Sequence, residues 1–334
     1  MNVLLTGGCG YIGSHVAVVL MSAGHRVAIL DNLTNSHRSV VDRVSEIAGA
    51  SPAFYCGDVG DVGLVRDIIR ENKVDSVIHL AGFKSVGESV QVPLKYYQNN
   101  ICGALGLLQA MEAESVSHLV FSSSATIYGD PQYLPVDETH PQHVVNAYGR
   151  SKLHIEDMLR DVSASRPSLG VVCLRYFNPV GAHSSGLIGD RPRGIPNNLM
   201  PYVVQVASGE LERLKVFGGD YPTPDGTGVR DYIHVMDLAE GHVAALNYLS
   251  SRSGWRAFNL GTGRGYSVLE MIRSFEAQSG RSIPFEITGR RQGDVACSYA
   301  DTRSAEQELN WRATRSLEDM CSSAWAFQSR FLAG

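Results

Sequence analysis

Residues 2–21 read NVLLTGGCGYIGSHVAVVLM, and this stretch decides the fold. Its first five residues are an apolar run that predicts a short buried strand. Gly7, Gly10 and Gly13 follow at intervals of three, and residues 15–21 have the apolar period of a helix. Glycines at these places permit a tight turn, let backbone N–H groups approach a pyrophosphate, and let the helix lie close to the strand. A glycine-rich turn between a strand and a helix therefore predicts a dinucleotide site.

An acidic residue follows at the distance that such a site requires. A second strand is predicted over residues 26–30, and it ends in Asp31. A carboxylate there hydrogen-bonds the ribose hydroxyls of the adenosine, and it would repel the 2′-phosphate of NADP. The alternative is that Asp31 and Asn32 only begin a turn. The order of strand, glycine turn, helix and strand argues against that alternative and favours NAD.

Strands and helices alternate through the first half of the chain, which predicts a Rossmann-type doubly wound parallel sheet of the α/β class. After residue 175 the sequence becomes rich in Gly, Pro, Asn and Asp, which predicts a smaller, loop-rich α/β C-terminal substrate domain. We predict a dinucleotide-binding domain over residues 1–176, with a return segment near 231–260, and a mainly substrate-binding domain over 177–334. The remaining predicted strands are 53–56, 76–80, 118–122 and 171–175; the predicted helices are 62–71, 94–112, 146–162, 196–207, 237–249, 268–278 and 304–309; the predicted loops are 178–190 and 220–228.

The composition excludes several classes of protein. The charged fraction is 19% and the formal net charge is −5, which gives no reason to expect binding to nucleic acid or to a membrane surface. No apolar run approaches the roughly 20 residues of a membrane helix, and no signal peptide is visible. The histidines and cysteines lack metal-ligand spacing, so we predict no metal site. The six cysteines are predicted to be buried free thiols of a cytoplasmic protein: Cys9, Cys56, Cys102, Cys173, Cys297 and Cys321.

A serine run and a tyrosine–lysine pair suggest catalysis. Tyr148 and Lys152 are four residues apart, so a helix would place them on one face. An ammonium beside a phenol favours the phenolate, which lowers a pKa of about 10 toward the range of a general base. Ser124, at the end of the run 122–124, could hydrogen-bond the same substrate oxygen. A surface helix with an extended lysine side chain is the alternative, and the dinucleotide site weighs against it.

Several segments of the chain are similar to those of one known family. They are residues 6–15, 30–33, 82–89, 122–130, 175–182 and 225–235, and the last (DGTGVRDYIHV) is the most specific. On these segments the sequence is identified as a member of the UDP-glucose 4-epimerase family, within the extended short-chain dehydrogenase/reductase superfamily. The likeness runs from residue 2 to about residue 311.

The resemblance implies an enzyme that interconverts UDP-glucose and UDP-galactose through a 4-keto intermediate, with NAD as its resident cofactor. It also implies a homodimer formed by helices of the nucleotide-binding domain, for which 94–110 and 146–162 are the candidates. The implied catalytic residues are Ser124, Tyr148 and Lys152. The implied NAD-binding residues are Gly7, Gly10, Tyr11, Ile12, Gly13, Asp31, Asn32, Asp58, Val59, Ala81, Lys84, Asn99, Tyr148, Lys152 and Tyr176. The implied UDP-sugar-binding residues are Ser124, Tyr148, Asn178, Asn198, Leu199, Phe217, Arg230, Arg291, Asp294 and Ser298.

Arginines suit a diphosphate because their planar fork can pair with its oxygens bidentately. Without the resemblance, Arg230 and Arg291 would be interpreted as surface ion pairs, for instance with Asp231 or Asp294.

The resemblance also bears on substrate range. Family members with tyrosine four residues after the aspartate of the Arg-x-Gly-Asp stretch handle only the unsubstituted hexoses, whereas members with a small residue also accept the N-acetyl sugars. That position here is Ser298, and Tyr299 is its neighbour. We therefore predict activity on UDP-GlcNAc and UDP-GalNAc as well.

Three alternatives share the predicted fold. Related dehydratases and decarboxylases carry acidic residues just after the Ser124 position, whereas this chain has Ala125 and Thr126. A catalytically silent NAD-binding regulatory protein would need the glycine turn but not the serine, tyrosine and lysine. A dehydrogenase that releases NADH would consume NAD stoichiometrically.

Overall fold

The computed structural model describes residues 1–192, 194, 196–291 and 293–333, so Arg193, Ile195, Gln292 and Gly334 of the predicted second domain lie outside the described residues. The strands are β1 (Asn2–Thr6), β2 (Arg26–Asp31), β3 (Ala53–Cys56), β4 (Ser76–His79), β5 (His118–Ser124), β6 (Gly170–Tyr176), β7 (Asn178–Val180), β8 (Leu214–Phe217), β9 (Val229–His234), β10 (Gly254–Leu260), β11 (Gly265–Ser267), β12 (Phe285–Thr288) and β13 (Cys297–Ser298).

Helices connect most of these strands. They are α1 (Tyr11–Ser22), α2 (Ser39–Ala48), α3 (Val62–Asn72), α4 (Val86–Gln91), α5 (Pro93–Tyr96), α6 (Gly103–Ala113), α7 (Ala147–Ser165), α8 (Leu199–Ala207), α9 (Val235–Leu249), α10 (Val268–Ser279), α11 (Arg303–Glu308) and α12 (Leu317–Ala333). A π-helical segment (Tyr97–Cys102) joins α5 to α6, and a 3₁₀ turn (Ala125–Ile127) follows β5.

A seven-stranded parallel sheet in the order β10-β6-β5-β4-β1-β2-β3 forms the centre of the nucleotide-binding region. Strand β4 is buried along its whole length, as expected for a central strand covered on both faces. The predicted doubly wound α/β fold is confirmed. The chain order reverses between β1 and β4, and a crevice beyond the carboxyl ends of the strands at such a point is where these sheets bind ligands.

Helices cover both faces of this sheet. On one face, Val16 and Leu20 of α1 share a buried cluster with Leu238 and Leu246 of α9. On the other face, α3, α6 and α7 contribute a second buried cluster. Full burial of one aliphatic side chain of this size contributes about 1.5–3 kcal/mol to the free energy of unfolding. Both layers of helices are therefore packed stably on the sheet. Since α9 packs on α1 and β10 pairs with β6, residues 235–260 lie with the nucleotide-binding region.

The second region has its own core. Strand β9 pairs with β7, β11 and β13, and β8 pairs with β12. Helices α8, α10 and α12 pack around a buried cluster that includes Val203, Phe275 and Met320. Within the described residues, no helix is both long and apolar enough to cross a lipid bilayer.

Several local predictions were wrong. The predicted helix 94–112 is divided by the π-helical segment, the predicted loop 178–190 begins with β7, and the predicted helix 196–207 begins only at Leu199. Helices α2, α4 and α12 were not predicted. All six cysteines are free, but Cys56 and Cys102 are exposed rather than buried.

Candidate active site

The glycine turn between β1 and α1 is built by close backbone contacts. Gly7 has a φ of 72°, and a Cβ there would lie 2.7 Å from the backbone nitrogen of Ala81. A Cβ on Gly13 would lie 2.2 Å from the carbonyl oxygen of Gly7. The N-cap of α1 is Gly10, which has no side chain to occupy the N–H groups of the first turn. The N–H groups of this first turn, which include those of Tyr11 and Ile12, are suited to binding a pyrophosphate.

Asp31 is held at the end of β2 by three hydrogen bonds. Its Oδ2 accepts the backbone N–H of Cys9 (2.9 Å), and its Oδ1 accepts the N–H of Leu33 (2.9 Å) and the hydroxyl of Ser36 (2.8 Å). The bonds to Leu33 and Ser36 also form the turn after β2, and such a turn was the alternative interpretation of Asp31. A carboxylate has about four lone-pair directions, so it retains capacity to accept a ribose hydroxyl.

A second carboxylate lies beside it at the end of β3. The side chain of Asn32 donates to Asp58 Oδ2 over 3.1 Å, and Asp58 Oδ1 accepts the N–H of Gly60. Val59, which lies between Asp58 and Gly60 in the sequence, is buried against the core. Two carboxylates near one place disfavour a further phosphate by Coulomb repulsion, which fits NAD better than NADP.

The loop after β4 is fastened by the π-helical segment. The side chain of Asn100 accepts the N–H of Phe83 (2.9 Å) and donates to its carbonyl (3.1 Å), and Asn99 donates to Asn100 Oδ1 over 2.9 Å. Lys84, one residue further, has its Nζ 5.8 Å from the ring centroid of Tyr11. Departures from the α-helix of this kind are frequent at functional sites.

Ser124, Tyr148 and Lys152 are brought together at the carboxyl edge of the sheet. Helix α7 begins where Asn146 accepts the N–H of Gly149 (2.8 Å), so Tyr148 lies in the first turn and Lys152 one turn later. The ammonium of Lys152 donates to the carbonyl of Ser122 (2.6 Å) and lies 6.0 Å from the ring centroid of Tyr148.

Burial changes the proton affinity of this pair. It raises the pKa of Tyr148, and a hydrogen bond with Ser124 acts in the opposite direction. The pKa of Tyr148 is therefore raised and not lowered as expected, because desolvation of the phenolate is the largest influence on it. Burial also lowers the pKa of Lys152 to about 8, opposed by the charge of Glu156.

Tyr176 ends β6 as the register partner of Ser124. Its hydroxyl is hydrogen-bonded to Nε2 of His242, whose Nδ1 lies 2.8 Å from the carbonyl of Leu238. Since that Nδ1 must carry the proton, Nε2 accepts from the tyrosine. The hydroxyl of Tyr176 is therefore engaged by His242 within the protein.

Two predicted substrate residues face the same way in the second region. Ser298 of β13 is paired in register with Arg230 of β9, and paired residues point to the same face of a sheet. Tyr299, the next residue, lies against Gly265 of β11, where a Cβ would be 3.5 Å from its ring. Asp231 is buried, and its carboxylate accepts hydrogen bonds from Thr262, Gly263 and Ala300. The alternative interpretation, in which Arg230 forms an ion pair with Asp231, is therefore wrong.

Arg291, Asp294 and Phe217 form another group. Arg291 and Asp294 are ion-paired at 3.0 Å, and the guanidinium lies 5.5 Å from the ring centroid of Phe217. The ion pair with Asp294 that was the alternative interpretation of Arg291 is therefore present. The other predicted substrate residues are exposed or partly exposed at element ends: Asn178 begins β7, Asn198 is the N-cap of α8, and Leu199 begins α8.

Sequence reasoning missed Glu156 and Arg175 as members of this site. Both are buried and they are ion-paired at 2.7 Å, with Glu156 on α7 one turn after Lys152 and Arg175 on β6. Glu156 follows Lys152 by four residues, and this spacing could have predicted that it shares the helix face of Tyr148 and Lys152. In the part of the chain that the structure describes, no group of three or more His, Cys, Asp or Glu side chains is arranged to hold a metal ion.

Residues 4–324 match the family model described as GDP-mannose 4,6 dehydratase. The chain is 54% identical over 329 residues to the UDP-glucose 4-epimerase of Bacillus subtilis (strain 168), covering 98% of this chain and 97% of that relative. The chain belongs to the UDP-glucose 4-epimerase family. It is therefore an enzyme, an isomerase of sugar nucleotides, on the Rossmann-type fold of the extended short-chain dehydrogenase/reductases.

Solved structures of epimerases agree with this assignment. The UDP-glucose 4-epimerase of Stenotrophomonas maltophila, crystallised with NAD and formylated UDP-arabinopyranose, is 50% identical with a TM-score of 0.98, covering 100% of this chain and 99% of that chain. The UDP-Glc/GlcNAc 4-epimerase of Campylobacter jejuni is 36% identical with a TM-score of 0.86, covering 98% and 99%.

Proposed function

We propose that this epimerase interconverts UDP-glucose and UDP-galactose through a 4-keto intermediate, with NAD as its resident cofactor, and that it also interconverts UDP-GlcNAc and UDP-GalNAc. The observation that carries the proposal is the convergence of Ser124, Tyr148 and Lys152 on the sheet edge that holds the glycine turn. The glycine turn, Asp31 and Asp58 fit the pyrophosphate and adenosine of NAD.

Tyr148 is the acid and base of the proposed reaction. Its phenolate takes the proton of the sugar 4-OH, directly or through Ser124. Bound NAD would supply the acceptor for the 4-hydrogen as hydride and the donor for its return, and its positive nicotinamide would favour the Tyr148 phenolate. Lys152 would contribute a second positive charge and hold the nicotinamide ribose. The keto sugar would turn about its link to the diphosphate, so that hydride returns to the opposite face of C4 while Tyr148 returns the proton to the oxygen. Binding energy is therefore best placed on the UDP portion.

Simple epimerisation is favoured over elimination by the two residues after Ser124. The 3₁₀ turn places Ala125 and Thr126 there, and the Thr126 hydroxyl lies 2.9 Å from Ser124 Oγ. Neither side chain is an acid or base able to remove a second proton, which a dehydratase or decarboxylase requires.

The experiment is incubation of the purified protein with UDP-galactose, UDP-GlcNAc and UDP-GalNAc separately, with products identified by NMR. We expect the C4 epimer of each and no change at the NADH absorbance band. A stoichiometric rise in that band would identify a dehydrogenase, and absence of any product would identify a silent NAD-binding protein.

Replacement of Asp31 by alanine is expected to weaken NAD binding at least about tenfold and to improve tolerance of NADP, because charge-assisted hydrogen bonds to the ribose are lost. Asp31→Asn keeps the shape of the turn and should also lose the discrimination against NADP. Binding is measured by calorimetry on cofactor-stripped protein. Asp67→Ala, an exposed change on α3, is the control. A wild-type preference for NADP would contradict the assignment.

We further propose a homodimer formed around α4, α5 and α7. Val90 is 65% exposed and Leu94 is 80% exposed, next to α7, with which both short helices pack. Val86 and Val92 are exposed on the same short helices and their junction, and a contiguous apolar patch of this kind is typical of a surface that another chain covers. Leu94→Glu is expected to give a monomer by sedimentation equilibrium, whereas Leu332→Glu, at an exposed position near the end of α12, should stay dimeric. A wild-type monomer would refute the proposal.

We place the protein in the cytoplasm. All six of its cysteines are free thiols, and two of them are exposed. Exposed thiols persist in a reducing compartment and are oxidised outside it. Fractionation of the native organism with an antibody to this chain tests the assignment.

A further inference from the structure

A fully buried carboxylate lies on the catalytic face of α7. Glu156 is 0% exposed and follows Lys152 by one helical turn and Tyr148 by two, so the three share a face. Its partner, Arg175 of β6, is 1% exposed. Burying two charges costs several kcal/mol per ion before their attraction is counted, so such a pair is poor evidence for stability alone.

The carboxylate is held from two sides. Arg175 donates through Nε to Glu156 Oε1 (3.1 Å) and through Nη2 to Oε2 (2.7 Å), and the hydroxyl of Ser123 donates to Oε1 in a short bond. Nη1 of Arg175 donates to the hydroxyl of Tyr128 and to the carbonyl of Glu138, and each of these two distances is 2.9 Å. The carboxylate of Glu156 thus accepts a bidentate pair of charge-assisted hydrogen bonds from Arg175 and a further bond from Ser123.

Three successive residues of β5 contact three successive turns of α7. Ser124 hydrogen-bonds Tyr148, the carbonyl of Ser122 accepts from Lys152, and Ser123 donates to Glu156. The third contact is tied to the next strand, because Ser123 and Arg175 are register partners. The Glu156 contact is thus one of three that hold the register between β5 and α7, and it is the one that also ties this register to β6.

We propose that Glu156, held by Arg175 and Ser123, is a positioning residue for the epimerase reaction: it fixes the Lys152 turn of α7 against β5 and supplies the negative charge that keeps Lys152 an ammonium. This inference rests on the proposed function of Lys152.

The charges that face Lys152 agree with that role. Burial lowers its pKa, and Glu156 is the largest influence that raises it. His79 of β4 faces Lys152, but burial lowers its pKa to about 3, so it is neutral. Burial raises the pKa of the Cys173 thiol on β6, so that group is neutral as well. Tyr148 is the third neutral neighbour before its proton leaves, and Arg175, the cationic partner of Glu156, is not among the main influences on the pKa of Lys152. Among the described groups, the anion facing Lys152 is thus Glu156.

The test begins with Glu156→Gln in the full-length protein. Removal of the anion should lower the pKa of Lys152, so the alkaline fall in kcat should move down in pH by about one unit. At pH 8 the protonated fraction of Lys152 would then fall from about one half to about one tenth, which gives about fivefold lower kcat. NAD content should be unchanged. The chain has five lysines (Lys73, Lys84, Lys95, Lys152 and Lys215), few enough for their ¹³Cε NMR titrations to be assigned, which reports the Lys152 pKa without turnover.

Two further variants separate position from charge. Glu156→Gln combined with Arg175→Met leaves no unpaired buried charge, and we expect the same alkaline shift. Glu156→Asp restores the carboxylate, and we expect the pH profile to return toward wild type. The matched control is Glu308→Gln, which breaks the Arg256–Glu308 pair between α11 and β10 and should leave the profile unchanged.

The outcomes distinguish this inference from the proposed function. An inactive wild-type protein refutes the proposed function. An active wild type, with folded Glu156 variants whose Lys152 titration and pH profile do not move, refutes the positioning role. Loss of folding in both neutral variants assigns the pair to stability alone and overturns the inference too.

Discussion

Tyr148→Phe is expected to lower turnover of UDP-galactose by about 10² to 10⁴-fold while NAD stays bound, since loss of a general acid or base has an effect of this size. The change removes one hydroxyl and keeps the ring beside Lys152. The proposed cofactor contacts of the glycine turn and of Asp31 are untouched, so the NAD content of the purified variant should equal that of wild type.

The measurement is a single-turnover assay by NMR, with cofactor content read from the absorbance of the denatured protein. Tyr55→Phe is the matched control, because this tyrosine of β3 bonds Asn72 and takes no part in the proposed chemistry. Near-wild-type activity of a folded Tyr148→Phe protein would assign the base to another residue.

Local signals predicted the strand, glycine turn and helix of the proposed nucleotide site. The turn at Gly7 and Gly13 needs glycine for backbone reasons that depend only on neighbours in sequence and on the adjacent strands. The helix face shared by Tyr148 and Lys152 follows from a spacing of four. Such features can be predicted because strand, turn and helix periods are properties of short segments.

Other features depend on tertiary structure. The pKa of Tyr148 moves opposite to the expectation because burial is set by the whole cleft and not by the neighbouring lysine. Strand β7 forms by pairing with β9, more than 50 residues later, which no local pattern reveals. The π-helical segment has no distinguishing composition. Helix α12 differs, since Leu317, Met320 and Ala324 have the helical period and would have predicted it.

Ser298→Tyr is expected to suppress epimerisation of UDP-GlcNAc by about 10²-fold in kcat/KM and to spare UDP-galactose. Ser298 shares a sheet face with Arg230, whereas Tyr299 lies on the side of Gly265, so the register places the serine and not the tyrosine toward the proposed sugar site. A one-residue slip would exchange the two side chains between faces. A tyrosine ring in the space of an acetamido group overpacks the site, at about 3 kcal/mol, which corresponds to about 10²-fold.

The two substrates are compared in one preparation, so any loss of folding or of NAD lowers both rates and leaves their ratio unchanged. Ser298→Ala keeps the space and should retain both activities. Tyr299→Phe changes the side chain on the other face and should not alter the ratio. If wild-type protein converts UDP-galactose but leaves UDP-GlcNAc untouched at high enzyme concentration and long times, another residue closes the site and the open space at Ser298 does not determine the substrate range.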